Sequence, residues 1–259
     1  MQSVQNNGVK SIEVGSRLIQ ALVESACAMT LKDLAGASNM MPGKAHRYLA
    51  SFVRTGLVRQ DPGTKRYMLG NMAFQIGLAA IGRDDALARA VEVQATLRDR
   101  IDKTVVLSVW GSHGPVIVNV KENSHPVIMT MRVGATLPML ATAAGLVCGA
   151  FLPRIVTSKI IKSELRTIAN TMPEARTIAS VERLLAAVKE AGFATNKGHL
   201  TNGVGAVAVP LLSWHGHLVA VMSAIGREED LNMRSNGAVA NQLRIAARQF
   251  RHGYSKSDA

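Results

Sequence analysis

Between Asp33 and Asp84 the chain carries one acidic residue, Asp61, against seven basic ones: Lys44, Arg47, Arg54, Arg59, Lys65, Arg66 and Arg83. Ammonium and guanidinium groups at that density offer charge and donors to a polyanion, and their spacing points to double-stranded DNA. No comparable set exists for bond-making chemistry. The sequence holds no G-x-S-x-G nucleophile turn, no H-E-x-x-H zinc helix and no phosphate loop, and residues 198–205 lack the strand-then-helix context of a dinucleotide fingerprint. His215 and His217 flank Gly216 in a turn between apolar runs, which suits a solvated hairpin better than a metal site. Cys27 and Cys148 are the only cysteines, in apolar segments of different domains. They form no disulfide framework and no CxxC site, and both read as buried thiols. The expectation is a binding protein without catalytic residues, metal or cofactor.

The basic residues need elements to hold them. If residues 42–55 are helical, Lys44, Arg47, Ser51 and Arg54 fall within about a quarter of the circumference at about 100° per residue, while Ala45, Leu49, Phe52 and Val53 occupy another sector. One face packs; the other is wet and basic. Pro42 suits the first turn, whose unpaired amides can meet a phosphate. Upstream, Thr30-Leu31-Lys32-Asp33 has capping-box spacing and opens a short helix that breaks at residues 36–39. Downstream, two short runs around Asp61-Pro62-Gly63-Thr64 read as a hairpin, with Pro presetting φ and Gly tolerating φ > 0. Such a wing reaches a neighbouring phosphate or the minor groove. The candidate DNA contacts are Thr30, Lys44, His46, Arg47, Ser51, Arg54, Arg59, Lys65 and Arg66, with Lys44 and Arg47 nearest the base edges.

The 259 residues allow two ordinary domains. Residues 1–83 hold 10 basic against 4 acidic residues and residues 84–259 hold 20 against 14, so each part is +6 and the first has about twice the charge density. Two long uncharged stretches, 134–153 and 203–226, are interrupted by Pro138, Pro210 and the 213–217 turn. Neither is the continuous apolar run of about 20 residues that a membrane helix needs. The polar residues 1–10 lack the apolar core of a signal peptide, so a cytoplasmic location is expected.

Leu18, Ile19, Leu22 and Val23 place a packing helix over residues 16–26, after a disordered start at 1–10. From 69 to 82 no residue is charged, and Met72, Ala73, Ile76, Ala79 and Ala80 leave little polar face. That helix must be buried, either in its own core or against its copy in a second subunit. Residues 84–102 form an amphipathic helix with Leu87, Val91 and Leu97 inward. Strands follow at 104–110, 116–121 and 127–133, helices near 141–151 and 181–191, strands at 206–212 and 218–225, and a closing helix over 233–250. This order is α+β with a largely antiparallel sheet. The expected domains are 11–69 for the DNA reader, 70–83 for the linker helix and 84–252 for the larger domain, with a tail at 253–259.

The chain resembles the bacterial isocitrate lyase regulator (IclR) family of transcription factors from about residue 16 to 248. The resemblance rests on Leu31-Lys32-Asp33-Leu34-Ala35, His46-Arg47-Tyr48-Leu49, Gly56-Leu57-Val58-Arg59 and Arg66-Tyr67-Met68-Leu69-Gly70. It continues in Arg132-Val133-Gly134, Leu137-Pro138-Met139, residues 141–145, Glu190-Ala191-Gly192-Phe193 and residues 203–210. It implies a winged helix-turn-helix, a linker helix and a GAF-like effector-binding domain, in a homodimer or dimer of dimers. The chain departs from the family where the recognition helix opens with Met41-Pro42-Gly43-Lys44 instead of a Pro-x-Ser-Thr run, and where Leu146, Asn196, His199 and Ala206 replace common basic, acidic and cysteine positions. By resemblance the effector pocket is lined by Leu137, Met139, Ala143, Ala144, His199, Ala206 and Ser223. A helix starting near Ala141 would aim its first amides at a small organic acid, aromatic or otherwise. The rival readings are an architectural DNA-binding protein without a ligand and a small-molecule enzyme with a basic appendage.

Overall fold

The computed structural model describes residues 8–25, 27–82, 85–124, 131–168, 176–197, 201–232 and 237–254. The chain divides between Arg83 and Asp84 into two compact units.

In the first unit three helices, α1 (Lys10–Glu24), α2 (Leu31–Ala37) and α3 (Pro42–Arg54), precede an antiparallel hairpin of β1 (Val58–Gln60) and β2 (Tyr67–Leu69). Leu18, Leu22, Leu34, Ala45, Leu49 and Tyr67 close a common core. The helix at the amino end begins at Lys10, earlier than its apolar spacing suggested, and Ala26 and residues 1–7 lie outside the described residues. Gly15 explains how tightly α1 meets α3: a Cβ there would stand 2.9 Å from the Phe52 ring and 3.0 Å from that of Tyr48. Asn39 makes the turn into α3 with φ of 51°, a left-handed conformation that asparagine tolerates. Val53, expected on the packing sector, is 39% exposed because α3 is covered on one side only.

The hairpin is joined at its base by Met29, whose N–H and C=O both bond Tyr67 at 2.9 and 2.8 Å. Its left-handed residue is Lys65, φ 56°, and not Gly63. The physical reason is Asp61: its Oδ1 accepts from the N–H and hydroxyl of Thr64 at 2.6 and 2.8 Å, closing a turn over 61–64 and passing the reversal to Lys65. After Gly70 comes α4 (Asn71–Gly82), the uncharged helix. In the single chain it is wet, with Met72, Phe74, Ile76 and Leu78 all exposed. None of these side chains enters the core of the winged unit.

In the second unit α5 (Asp85–Ile101) leads into β3 (Thr104–Gly111) and β4 (Gly114–Lys121); α6 (Ala143–Phe151), α7 (Arg154–Ile168) and α8 (Ile178–Ala191) follow. Then come β5 (Ala194–Lys197), β6 (Val204–Leu212), β7 (Leu218–Arg227) and α9 (Ala238–Tyr254). The five strands form one antiparallel sheet in the order β4-β3-β7-β6-β5. Strand alternation sorts the side chains into two cores. Val207, Val209, Leu211 and Met222 face α5 and α9, whereas Ala208 and Val221 face α6 and α8. The fold is α+β, three layers deep. Of the strand expected over 127–133, residues 127–130 lie outside the described residues and 131–133 are not strand. Cys148 is buried in α6, where desolvation pushes its thiol up to about 12. Cys27, by contrast, is exposed in the turn after α1. No described helix is long and apolar enough to cross a membrane.

Candidate nucleic-acid interface and ligand cleft

The basic face of α3 is made by periodicity and by what the opposite face buries. Ala45 and Leu49 are fully enclosed, and Lys44, Arg47, Ser51 and Arg54 stand exposed. His46 is exposed too, about 100° round the helix from Arg47. Ser51 Oγ donates to the Arg47 carbonyl at 3.2 Å and accepts from Arg54 Nη2 at 3.4 Å, so hydroxyl and guanidinium share one surface. The helix start offers fewer amides than its position alone implies. Pro42 has none, and the Lys44 N–H turns back to the Met41 carbonyl at 2.9 Å, which leaves Gly43.

Thr30 is already employed. Its Oγ1 accepts from Asp33 N at 3.2 Å while its backbone N–H donates to Asp33 Oδ2 at 3.4 Å, the reciprocal box that starts α2, and Oγ1 also donates to Oδ2 at 2.8 Å. The Thr30 hydroxyl and amide together hold the Asp33 carboxyl below its ordinary value of 3.8. Asp61 is lowered likewise, first by the backbone N–H of Thr64. On the wing Arg59 and Lys65 are exposed, and Arg66 Nη1 donates to the Ala28 carbonyl at 3.0 Å, which ties its guanidinium to the loop before α2.

In the second unit a cleft of about 50 Å³ lies between the start of α6 and the sheet. Leu137, Ala143, Ala144, Ala206 and Ser223 line it, as do Asn196 and Val106. Met139 does not: it is fully buried in the core, and it is its backbone N–H that shapes the site. His199 lies outside the described residues. The space exists because β6 and β7 present alanine and serine where larger side chains would meet α6.

Up to Leu137 the loop leading to α6 is held by backbone bonds to β4, and from Pro138 onward by side chains. Glu164 of α7 accepts from the N–H groups of Met139 and Leu140 at 2.7 and 2.8 Å. Thr142 donates to the Pro138 carbonyl at 2.6 Å and caps Gly145 N at 2.9 Å, and Asn196 Nδ2 donates to the Ala141 carbonyl at 2.7 Å. Gly145 lets the loop lie against the helix, since a Cβ there would sit 2.1 Å from the Met139 oxygen. With Gly145 capped, the amides of Ala143 and Ala144 are those without an intrahelical carbonyl. The Ser223 hydroxyl, 3% exposed, has no partner among the described residues. A buried donor left in that state costs about 1–3 kcal/mol, so a ligand or water that bonds it gains by doing so. Glu164 escaped the sequence reading, because α7 was not foreseen and the residue stands in no local motif; Asn196 was noted only as a departure from the family pattern, and its place on β5 and its bond to Ala141 were not foreseen. Among the described residues no group of His, Cys, Asp or Glu could hold a metal.

A winged helix-turn-helix followed by a sheet domain with a cleft at a helix start is the build of a ligand-responsive transcription regulator. Residues 11–62 match the IclR helix-turn-helix domain and residues 78–252 match the bacterial transcriptional regulator IclR C-terminal domain. Over 241 residues the chain is 27% identical to the glycerol operon regulatory protein of Streptomyces griseus, covering 93% of this chain and 92% of that one. It is similar to the crystal structure of Pseudomonas aeruginosa HmgR, with 31% identity, a TM-score of 0.61, and coverage of 97% and 100% of the two chains. It shares its fold with an IclR homolog of Microbacterium hydrocarbonoxydans complexed with 4-hydroxybenzoate, at 20% identity and a TM-score of 0.76, covering 95% of this chain and 99% of that one. The chain belongs to the IclR family. It is a DNA-binding transcriptional regulator with a carboxyl-terminal effector-binding domain, and not an enzyme.

Proposed function

We propose that the protein binds a palindromic or pseudopalindromic operator in the cytoplasm as a homodimer or dimer of dimers, and that a small organic acid in the cleft changes its operator affinity. In this reading α3 enters the major groove with Lys44 and Arg47 toward base edges, and Arg54, Arg59, Lys65 and Arg66 serve phosphates. Thr30, His46 and Ser51 complete the contact surface. The exposed apolar side chains of α4 support the oligomer: each of Met72, Phe74, Ile76 and Leu78 gains about 1.5–3 kcal/mol when covered. Two copies of that helix on a twofold axis would present two wings to two half-sites.

The observation that carries the effector reading is the unpartnered Ser223 hydroxyl beside the α6 start, in a cleft otherwise walled by Leu137, Ala143, Ala144 and Ala206. Amides at a helix start favour an anion, and the apolar wall favours a hydrocarbon body attached to it. The relative seen with 4-hydroxybenzoate has the same fold and adds support for a carboxylate as the effector. The effector must bind the operator-bound and free states unequally, because equal affinity shifts nothing. Calorimetry with a panel of aliphatic and aromatic acids, with and without operator DNA, tests this. Heat of binding that differs between the two is expected, and equal affinity on and off DNA refutes the sensing role. Ile76→Asp is expected to lower the particle mass in light scattering; an unchanged mass removes α4 from the oligomer contact.

A further inference from the structure

A second recess adjoins the cleft. Its wall includes Met131, Val204 and Ile225, three residues that also line the first space, and it adds Lys103, Thr104 and Asp230. The two spaces are narrow, about 50 and about 30 Å³. Each is well short of the roughly 150 Å³ of a cavity that admits benzene, so neither holds a bulky group as it stands, and an unbranched ligand would draw on the length of both.

Their chemistry differs. No side chain lining the inner cleft is ionisable among the described residues, whereas the outer recess brings one cation and one carboxylate. Lys103 Nζ stands 3.8 Å from Asp230 Oδ2, with the side chains 25% and 48% exposed. A tight charge-assisted hydrogen bond is about 2.7–2.9 Å long, so this pair is loose and its ammonium can be drawn to a better acceptor. Register fixes the separation of the two ends. Val106 of β3 lies opposite Ser223 and Thr104 lies opposite Ile225. At about 3.4 Å per residue, Ser223 and the Lys103–Thr104 end are roughly 7–10 Å apart.

We propose that the effector site is bipartite: one acid group rests at the α6 start beside Ser223, an apolar middle passes Met131, Val204 and Ile225, and a second acid group meets Lys103. The ligand class is thus an elongated α,ω-diacid, with Lys103 as the residue that selects for its second charge. This deepens the effector reading given above and rests on it.

Calorimetry on the full-length protein with hexanoate, adipate and succinate separates the two ideas. Adipate, long enough to reach both ends, is expected to bind about tenfold tighter than hexanoate, the gain of one charge-assisted contact, and tighter than the shorter succinate. In Lys103→Met the adipate-to-hexanoate ratio falls toward one. In Asp230→Asn, which frees the ammonium from its carboxylate, the ratio rises. Melting temperatures and circular dichroism of both variants show whether they remain folded; since both side chains are partly exposed, the opposite responses of the two are not a shared loss of fold. An adipate preference absent from the wild type, or equal in wild type and Lys103→Met, overturns the bipartite site while hexanoate binding leaves the inner cleft standing. If neither hexanoate nor the diacids bind, the effector reading fails as well.

Discussion

The two units carry the same formal charge, +6 each, and use it in opposite ways. In the winged unit the basic side chains of α3 and the hairpin are exposed, and the small core beneath them serves to aim them. In the sheet unit the candidate cleft is walled by Leu137, Ala143, Ala144 and Ala206, its polar groups are Thr142, Asn196, Thr201 and Ser223, and the cation Lys103 sits in the adjoining recess. A surface that reads a polymer is made by adding long side chains. A space that reads a small molecule is made by omitting them, and then needs a rigid frame to keep neighbours from filling it.

Glycine substitutions sharpen that contrast most. A Cβ on Gly145 would stand 2.1 to 2.5 Å from three backbone atoms of Met139, which cannot move as a side-chain tip can. Gly145→Ala is expected to destabilise the sheet unit by at least the 1–3 kcal/mol typical of overpacking (about that range at minimum) and to abolish acid binding. Gly36, in α2 of the winged unit, has nothing within 4 Å of its Cβ position and ordinary helical φ, so Gly36→Ala should stabilise by about 0.5–1 kcal/mol. Urea unfolding of both variants checks the pair. Equal effects would mean that the loop before α6 is not the rigid frame described.

Glu164 tests the frame without adding bulk. Its carboxylate accepts two backbone N–H groups, and hydrogen bonds to a charged group contribute about 1.5–3 kcal/mol. Glu164→Ala should lower urea stability by about that amount and weaken every acid ligand, while non-specific DNA affinity stays put. Loss of DNA affinity to the same degree would erase the division of labour between the units.

Within the winged unit, Arg47→Ala should cost about 1–3 kcal/mol of operator affinity and relax sequence preference, whereas Lys65→Ala should weaken all sequences and reduce the salt slope by about one. Fluorescence anisotropy on operator and random duplexes at several salt concentrations separates these signatures. Identical profiles for the two variants would contradict the assignment of α3 to bases and the wing to phosphates.

The same contrast governs what could be read from the sequence. Helix α3, the capping box and the hairpin are local patterns, each complete within about 15 residues, so periodicity and turn chemistry reach them. The cleft joins Val106, Ala143, Asn196 and Ser223 across three strands and a helix, and only the family resemblance brought part of that set together. The misses have local causes. Helix α7 places Ile155 and Val156 in solvent, which blurs its apolar face, and β5 is four residues long with a polar sequence whose strand character comes from pairing with β6. Cys27 sits after α1 has ended at Glu24, outside the helix that an apolar neighbourhood suggested. Lys65 took the left-handed position because Asp61 bonds Thr64, a side-chain choice that Gly63 made look unnecessary.

The smallest expected effect is the pH response of the winged unit. The folded-state value of Asp33 is depressed, first by the Thr30 hydroxyl, and that of Asp61 by the Thr64 amide. Because folding lowers these values, the unfolded chain binds more protons over the affected range, and stability falls as pH falls. The contribution is fully present above the ordinary value of 3.8 and is lost as pH drops through the lower folded values. Asp33 is exposed and Asp61 partly so, so the effect is small and is best seen as a difference. Thr30→Val removes the hydroxyl that caps α2, a change that costs about 1 kcal/mol at a typical N-cap. Measured by urea unfolding, the gap between wild type and Thr30→Val should be constant near neutrality and narrow below pH 3.8, where a protonated Asp33 no longer gains from the hydroxyl it faces. A gap that stays constant down to the acid limit would mean that the cap acts through the backbone alone, with the Asp33 charge a bystander.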